Sequence, residues 1–479
     1  MDEGKSRQPE AKELDSFSRC LVGALLLLSI LAPSNLYAGP ASDSFEMRLI
    51  AQLPYCLRCN PCFYDADRNG RPEFYAVRPA GWRGYAAEWA GEGQFDTTFI
   101  LDGSPLFSDI GDADHDGKTD LVLQQPSTYV RVFESPDSWS FPTKEVWVDK
   151  IQYNAGFASA TFTDLDQDSA TEIVVLDEPA SQVRVYENVA DDSYALKTCI
   201  PGRGCDICEL DDLDRDGKPE LAITYIGGIE VRFYEAVADD SILCVAEDTS
   251  LRPYPYGRGM AYAPDMDRDG LSEMIAAAQD GDDQMIIGVY EAPANNTFNL
   301  VWSYTCPCGQ ASGGNAAVGD IDGDSALEFA VTDGIHVRLF RCTGNDHYEQ
   351  IWQSPDQSET PVALCDLNSD GKDELLYCHV GWTIIREYVS LGVEELARRR
   401  LEQVSVFPTI VAQREVVRVS GLGIGARMEV VDAAGRVVAL LGGFGEEAVW
   451  RTDKARPGAY FIRVSSGRQS ITRKVLVVD

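Results

Sequence analysis

The sequence predicts an all-β chain: a seven-bladed β-propeller of four-stranded blades over residues 44–390, a linker at 391–402, and a small β-sandwich over 403–479. Three observations predict it. A nine-residue acidic pattern returns seven times at near-constant spacing. Short segments rich in β-branched and aromatic residues, enough for four strands, separate successive copies. No stretch between residues 44 and 390 has sustained helical periodicity.

The pattern is clearest in Asp112-Ala-Asp114-His-Asp116-Gly117-Lys-Thr-Asp120, with side-chain oxygens at positions 1, 3, 5 and 9 and glycine at position 6. The first copy has Asp65, Asp67, Asn69 and Glu73; the third has Asp164, Asp166, Asp168 and Glu172. The fourth has Asp212, Asp214, Asp216 and Glu220, and the fifth Asp265, Asp267, Asp269 and Glu273. Asp320, Asp322, Asp324 and Glu328 form the sixth, and Asp366, Asn368, Asp370 and Glu374 the seventh. First positions are 47, 52, 48, 53, 55 and 46 residues apart. One such loop is an accident that an acidic chain permits; seven in phase are a design.

Alternating oxygens on a curled loop suit a hard cation, which takes six to eight oxygen ligands. The expected cofactor is therefore Ca2+, up to seven ions, with the carbonyl of position 7 as a further ligand. Position 6 must bend back sharply, and glycine does so without a Cβ penalty. Ser169 and Ser325 hold that position in the third and sixth copies, which predicts strain or a different turn there. An EF-hand is excluded, because its last acid stands at position 12 and its flanks are helical.

Between loops the strands follow one logic. After the fourth loop come Leu221–Ile226, Ile229–Ala236, Ser241–Ala246 and Gly257–Ala263, bounded by Gly, Asp and Pro. Four strands and about 50 residues per unit describe a propeller blade. The small residues of Gly156–Ala160 and Ser312–Ala317 suit a crowded innermost strand. After the seventh loop only two strands remain, Leu375–His379 and Thr383–Val389, whereas Phe45–Leu53 has no blade of its own. That segment is expected to supply the outer strand of the seventh blade, hiding two sheet edges.

Loops of the form D-x-D-x-D-G-x-x-[D/E] on four-stranded units resemble the FG-GAP/VCBS repeats of integrin α-subunit propellers and of many secreted bacterial proteins. The resemblance covers residues 44–390 and implies an extracellular recognition role.

Met1 to Arg19 is polar and Leu21–Ala32 is an apolar run too short to span a bilayer. With Ala38 as a small residue at the cleavage point, residues 1–38 read as a signal peptide, although the leading segment carries more acids than bases. Without Cys20, an even number of the 13 cysteines remains. Cys56, Cys59 and Cys62 cluster, as do Cys199, Cys205 and Cys208. Disulfides are the expectation in an oxidising compartment, with a tetrahedral zinc site the alternative. The formal charge of −36, from 77 acids against 41 bases, argues against nucleic acid or anionic lipid as partners.

From Val404 the composition changes. Arg414–Val419, Met428–Val431, Val437–Leu441, Gly458–Val464 and Ser470–Val478 alternate as sandwich strands do, with an Asp-Ala-Ala-Gly turn at 432–435. Phe407-Pro408, the run from Glu429 to Arg436, that from Pro457 to Arg463 and the closing Lys474-Val-Leu-Val-Val are similar to type IX secretion C-terminal sorting domains. Export machinery is then the partner of this domain. The opening Pro-Asn-Pro of that family is here Phe-Pro-Thr.

Four histidines, His115, His336, His347 and His379, offer no Ser-His-Asp order or His-x-x-His pair. No catalytic residue is assigned. The expected function is an exported calcium-binding module for adhesion or recognition of an extracellular protein or glycan, secreted or at the cell surface. The alternative is a calcium-dependent polysaccharide-degrading enzyme, lyase-like, on the same scaffold. Trp82, Trp89, Tyr254, Tyr256, Trp302 and Trp382 are candidates for a sugar-binding face.

Overall fold

The computed structural model describes residues 45–57, 61–78, 83–103, 105–125, 129–151, 159–177, 180–225, 231–239, 241–251, 259–280, 284–308, 315–355, 359–391, 404–421, 427–441, 447–466 and 469–479. The expected leader at 1–38, nearly all of the linker, and residues 156–158 and 312–314 of the two expected innermost strands lie outside them. Among the described residues every regular element is a strand, and no helix is long and apolar enough to cross a membrane.

Residues 45–390 form seven four-stranded antiparallel sheets in a propeller-like arrangement. The second sheet is typical: Leu106–Gly111, Asp120–Gln125, Tyr129–Glu134 and Lys144–Lys150 pair in chain order. Each loop joins the first strand of its sheet to the second. In all seven, the second strand begins on the position-9 acid: Glu73, Asp120, Glu172, Glu220, Glu273, Glu328 or Glu374. The first strands of neighbouring sheets touch in succession, from Phe63–Tyr64 against Leu106–Gly111 to Ala316–Gly319 against Glu359–Cys365.

Successive side chains of a strand point to opposite faces, and here both faces are buried. Tyr75 and Val77 pack with Leu121 and Leu123 of the second sheet, whereas Phe74 and Ala76 pack with Leu376 and Ile385 of the seventh. The same division runs onward: Ile173 and Val175 join Val122 and Val132, and Val174 joins Leu221 and Ile223. This accounts for the near-continuous apolar runs of the second strands. Burying each such side chain contributes about 1.5–3 kcal/mol, which no sheet could obtain alone.

The seventh sheet is made from both ends of this region. Glu359–Cys365, Glu374–His379 and Trp382–Ser390 are followed at the edge by Phe45–Leu53, which runs antiparallel to Trp382–Ser390 with Met47 opposite Tyr388. The register slips by one residue between Leu49 and Ala51. Just beyond that strand, the buried sulfurs of Cys56 and Cys378 lie 2.7 Å apart.

Residues 404–479 form a three-stranded and a five-stranded sheet around one core. Val406, Val417, Val419 and Trp450 from the first meet Val430, Ile462, Val464, Val475 and Val477 from the second. Ile410–Ala412 pairs in parallel with the final strand, Gln469–Val478. Ser405–Phe407, Ile410–Ala412 and Glu447–Arg451 are strands that alternation alone does not reveal.

Candidate metal centres

The seven loops share one hydrogen-bonding plan. The position-6 N–H donates to the position-1 carboxylate at 2.8–3.2 Å in every copy. The position-7 N–H donates to the position-5 side chain at 2.7–3.1 Å. The position-2 N–H donates to one oxygen of the position-9 acid at 2.8–3.2 Å. Bonds to a carboxylate are stronger than neutral ones, and together these three series fix the side chains at positions 1, 5 and 9 around one loop.

Two backbone positions make the curl possible. Position 6 is left-handed throughout, with φ of +84 to +96° at Gly70, Gly117, Gly217, Gly270 and Gly371, and of 74° and 65° at Ser169 and Ser325. A Cβ at those glycines would meet nothing within 4 Å, so the requirement is conformational rather than one of space. The two serines adopt the same turn and bear its strain, about 1–2 kcal/mol each. Position 4 is left-handed as well, at Arg68, His115, Gln167, Arg215, Arg268, Gly323 and Ser369. Sequence reasoning missed this, because mostly non-glycine residues stand there. It also missed position 2, where Ala66, Ala113, Leu165, Leu213, Met266, Ile321 and Leu367 are all buried and anchor the loop in the core.

The ligand atoms converge. Within the sets Asp65, Asp67 and Glu73; Asp112, Asp114 and Asp120; Asp164, Asp166, Asp168 and Glu172; and Asp212, Asp214, Asp216 and Glu220, one oxygen per residue lies within 4.8 Å of the others. These acidic groups could hold a metal ion. A test of fit comes from buried oxygens left without a hydrogen bond: Glu73 Oε1, Asp112 Oδ1, Asp164 Oδ1, Glu172 Oε1, Asp212 Oδ1 and Glu220 Oε1. An unsatisfied buried carboxylate oxygen is costly, and these recur at positions 1 and 9. A cation among them would satisfy all at once.

The position-9 acids also reflect their burial electrostatically. Desolvation pushes Glu73, Glu172, Glu220, Glu273 and Glu374 up to about 8, and Asp120 likewise to about 8, against the pull of the position-2 N–H; neighbouring loop acids add to the rise. Glu328 rises less, to about 7, because the Arg341 guanidinium beside it offsets part of the burial.

Neighbouring sheets clasp the loops. The Asp192, Asn296 and Asp346 N–H groups, at outer hairpin tips, donate to Asp114, Asp214 and Asp267 of the preceding sheet at 2.9, 2.5 and 2.7 Å. Other predicted features stand apart. Trp89 packs on Phe95, and Trp302 is surrounded by Tyr304, Phe329, Phe340 and Tyr348, so both are packing residues rather than an open sugar platform. Trp382 is exposed; Trp82, Tyr254 and Tyr256 lie outside the described residues.

No family model matches the chain, and comparison with curated proteins finds no match. Among solved structures it is similar to Raptor of Chaetomium thermophilum at 11% identity with a TM-score of 0.46; the match covers 73% of this chain and 29% of that one. The chain thus spans less than a third of that protein's length.

Proposed function

We propose that residues 45–390 are a closed seven-bladed calcium-binding β-propeller and that the chain is an exported recognition or adhesion module. The observation that carries the reading is the repeated loop geometry, with the same three backbone bonds in each copy and unsatisfied carboxylate oxygens turned inward. Oxygen-only donors on flexible loops favour calcium over softer metals. Asp, Asn and Glu side chains at positions 1, 3, 5 and 9 would hold the ion, and ring closure rests on the Phe45–Leu53 strand.

External modules of this type bind calcium at about 10⁻⁴–10⁻³ M, so ions abundant outside cells would suffice. The ligand is an extracellular protein or glycan, and the C-terminal domain serves export. Calcium titration of chelator-stripped protein is expected to give saturable uptake with a rise in melting temperature. Arrays of glycans and matrix proteins should then give binding that the chelator abolishes. No calcium uptake would end the reading; calcium uptake with array binding insensitive to chelator would detach the recognition role from the ions.

A further inference from the structure

We infer that Arg341 takes the place of the divalent ion in the sixth loop, so that the seam where the two ends of residues 45–390 meet is held without calcium. The inference rests on the calcium reading of the other loops and concerns one departure from it.

In the first five sheets, the residue opposite the position-9 acid is itself acidic: Glu88 faces Glu73, Glu134 faces Asp120, Glu187 faces Glu172, Glu235 faces Glu220 and Glu291 faces Glu273. In the sixth sheet that residue is Arg341, opposite Glu328. Its side chain is 10% exposed, and its Nε donates to Glu328 Oε1 at 2.7 Å. The corresponding oxygen in the first, third and fourth loops is without a hydrogen bond. The guanidinium also pairs with Asp322 Oδ2. Two of the four candidate ligands, at positions 3 and 9, are therefore already bound to a fixed positive charge. An arriving cation would meet like charge at short range in a poorly screened site, and breaking the pair would strand buried charges.

The location explains the substitution. In the second, fourth and fifth loops, the position-3 Oδ2 accepts the N–H of the next sheet's outer hairpin tip. The sheet after the sixth is the seventh, whose outer strand comes from the other end of the region, so Ser390 and Phe45 stand opposite each other with no covalent hairpin between them. Asp322 has no such tip, and Arg341 supplies its partner instead. The Arg341 charge also acts on the Tyr388 hydroxyl of the seventh sheet, opposing the rise that burial gives it. A second tie needs no metal either: Asp373 Oδ2 accepts the Asp320 N–H at 2.7 Å, and Asp320 O accepts the Asp373 N–H at 2.9 Å. Gly319 permits this approach, since a Cβ there would stand 2.2 Å from Asp373 Oδ2.

The test is calcium stoichiometry by native mass spectrometry on the full chain after chelator treatment. The wild-type chain is expected to take up one ion fewer than it has loops, and Arg341→Glu to take up one more than wild type. Asp322→Ala should leave the wild-type count unchanged, whereas Asp214→Ala, which removes the position-3 oxygen altogether, lowers it by one; this pair decides the matter should Arg341→Glu fail to fold. An ion for every loop in the wild type, or a count lowered by Asp322→Ala, overturns the role of Arg341 and leaves the calcium reading standing. No uptake by any variant overturns the calcium reading, and the inference with it.

Discussion

The two sheet-bearing regions of the chain solve the same packing problem with different materials. The sheets of residues 404–479 enclose an apolar core, and the one polar residue fully buried among the described residues there, Thr452, is hydrogen-bonded to the Ala412 and Glu415 carbonyls at 2.9 and 3.0 Å. The sheets of residues 45–390 are no less apolar between themselves, but every second strand starts with a buried acid. The first design is self-sufficient. The second buries carboxylates away from water, which links its stability to protons and, on the proposed calcium reading, to cations.

The largest expected effect breaks the comparison open. Chelator should lower the melting transition of the seven-sheet region and leave that of the C-terminal sheets in place. A site filled at ten times its dissociation constant adds about 1.4 kcal/mol, so several sites give a shift well outside experimental error in calorimetry. A chelator-insensitive profile would erase the contrast between the regions. Removing residues 40–54 should also lower the first transition sharply, because Trp382–Ser390 then becomes a bare edge and Met47 leaves a core it shares with Leu339 and Tyr377. Melting indistinguishable from the full chain would show that closure contributes nothing.

Proton linkage gives a third, smaller effect with a definite sign. The position-9 acids are pushed up to about 8 from an ordinary 4.5 for the glutamates. In metal-free protein the fold holds their protons between those values and the unfolded chain does not. Stability from this source is complete below about 4.5 and is lost as pH rises toward about 8. Calcium must displace the same protons, so the gap between calcium and chelator melting temperatures should widen from pH 5 to pH 8. A constant gap would mean that these acids are not ligands.

The smallest effect sharpens the account of the turn. Ser169→Gly should stabilise by about 1 kcal/mol through relief of left-handed strain, offset in part by the greater freedom glycine gives the unfolded chain. Ser325→Gly should do the same, and denaturant melts can resolve both. Destabilisation in either would show that the serine side chain does more than tolerate the bend.

Sequence alone made a good part of this legible. Seven acidic loops in phase, the strands after each, and the displaced outer strand all follow from local pattern and counting. Relations that cross between strands or sheets could not be read that way. Arg341 looks like an ordinary exposed-face residue until the ladder sets it against Glu328, thirteen positions earlier. The hairpin clasps join residues 78 to 82 positions apart, and nothing in the loop motif announces them. Position 4 was hidden for a different reason: Arg68, His115 and Gln167 do not advertise the left-handed turn as glycine does.

The strand Phe45–Leu53 is synthesised before any other described residue, yet its partner lies 339 positions later, at the Arg48–Glu387 ion pair. Its partner strand is therefore missing until synthesis reaches Trp382–Ser390, and such long-range pairing favours slow folding and makes an unpaired edge a hazard for cross-chain association. Covalently joining the chain at Ser390 to Phe45 and opening it at another junction between sheets would convert this long-range pairing into a local hairpin. Such a rearranged chain should refold faster and aggregate less than the natural order.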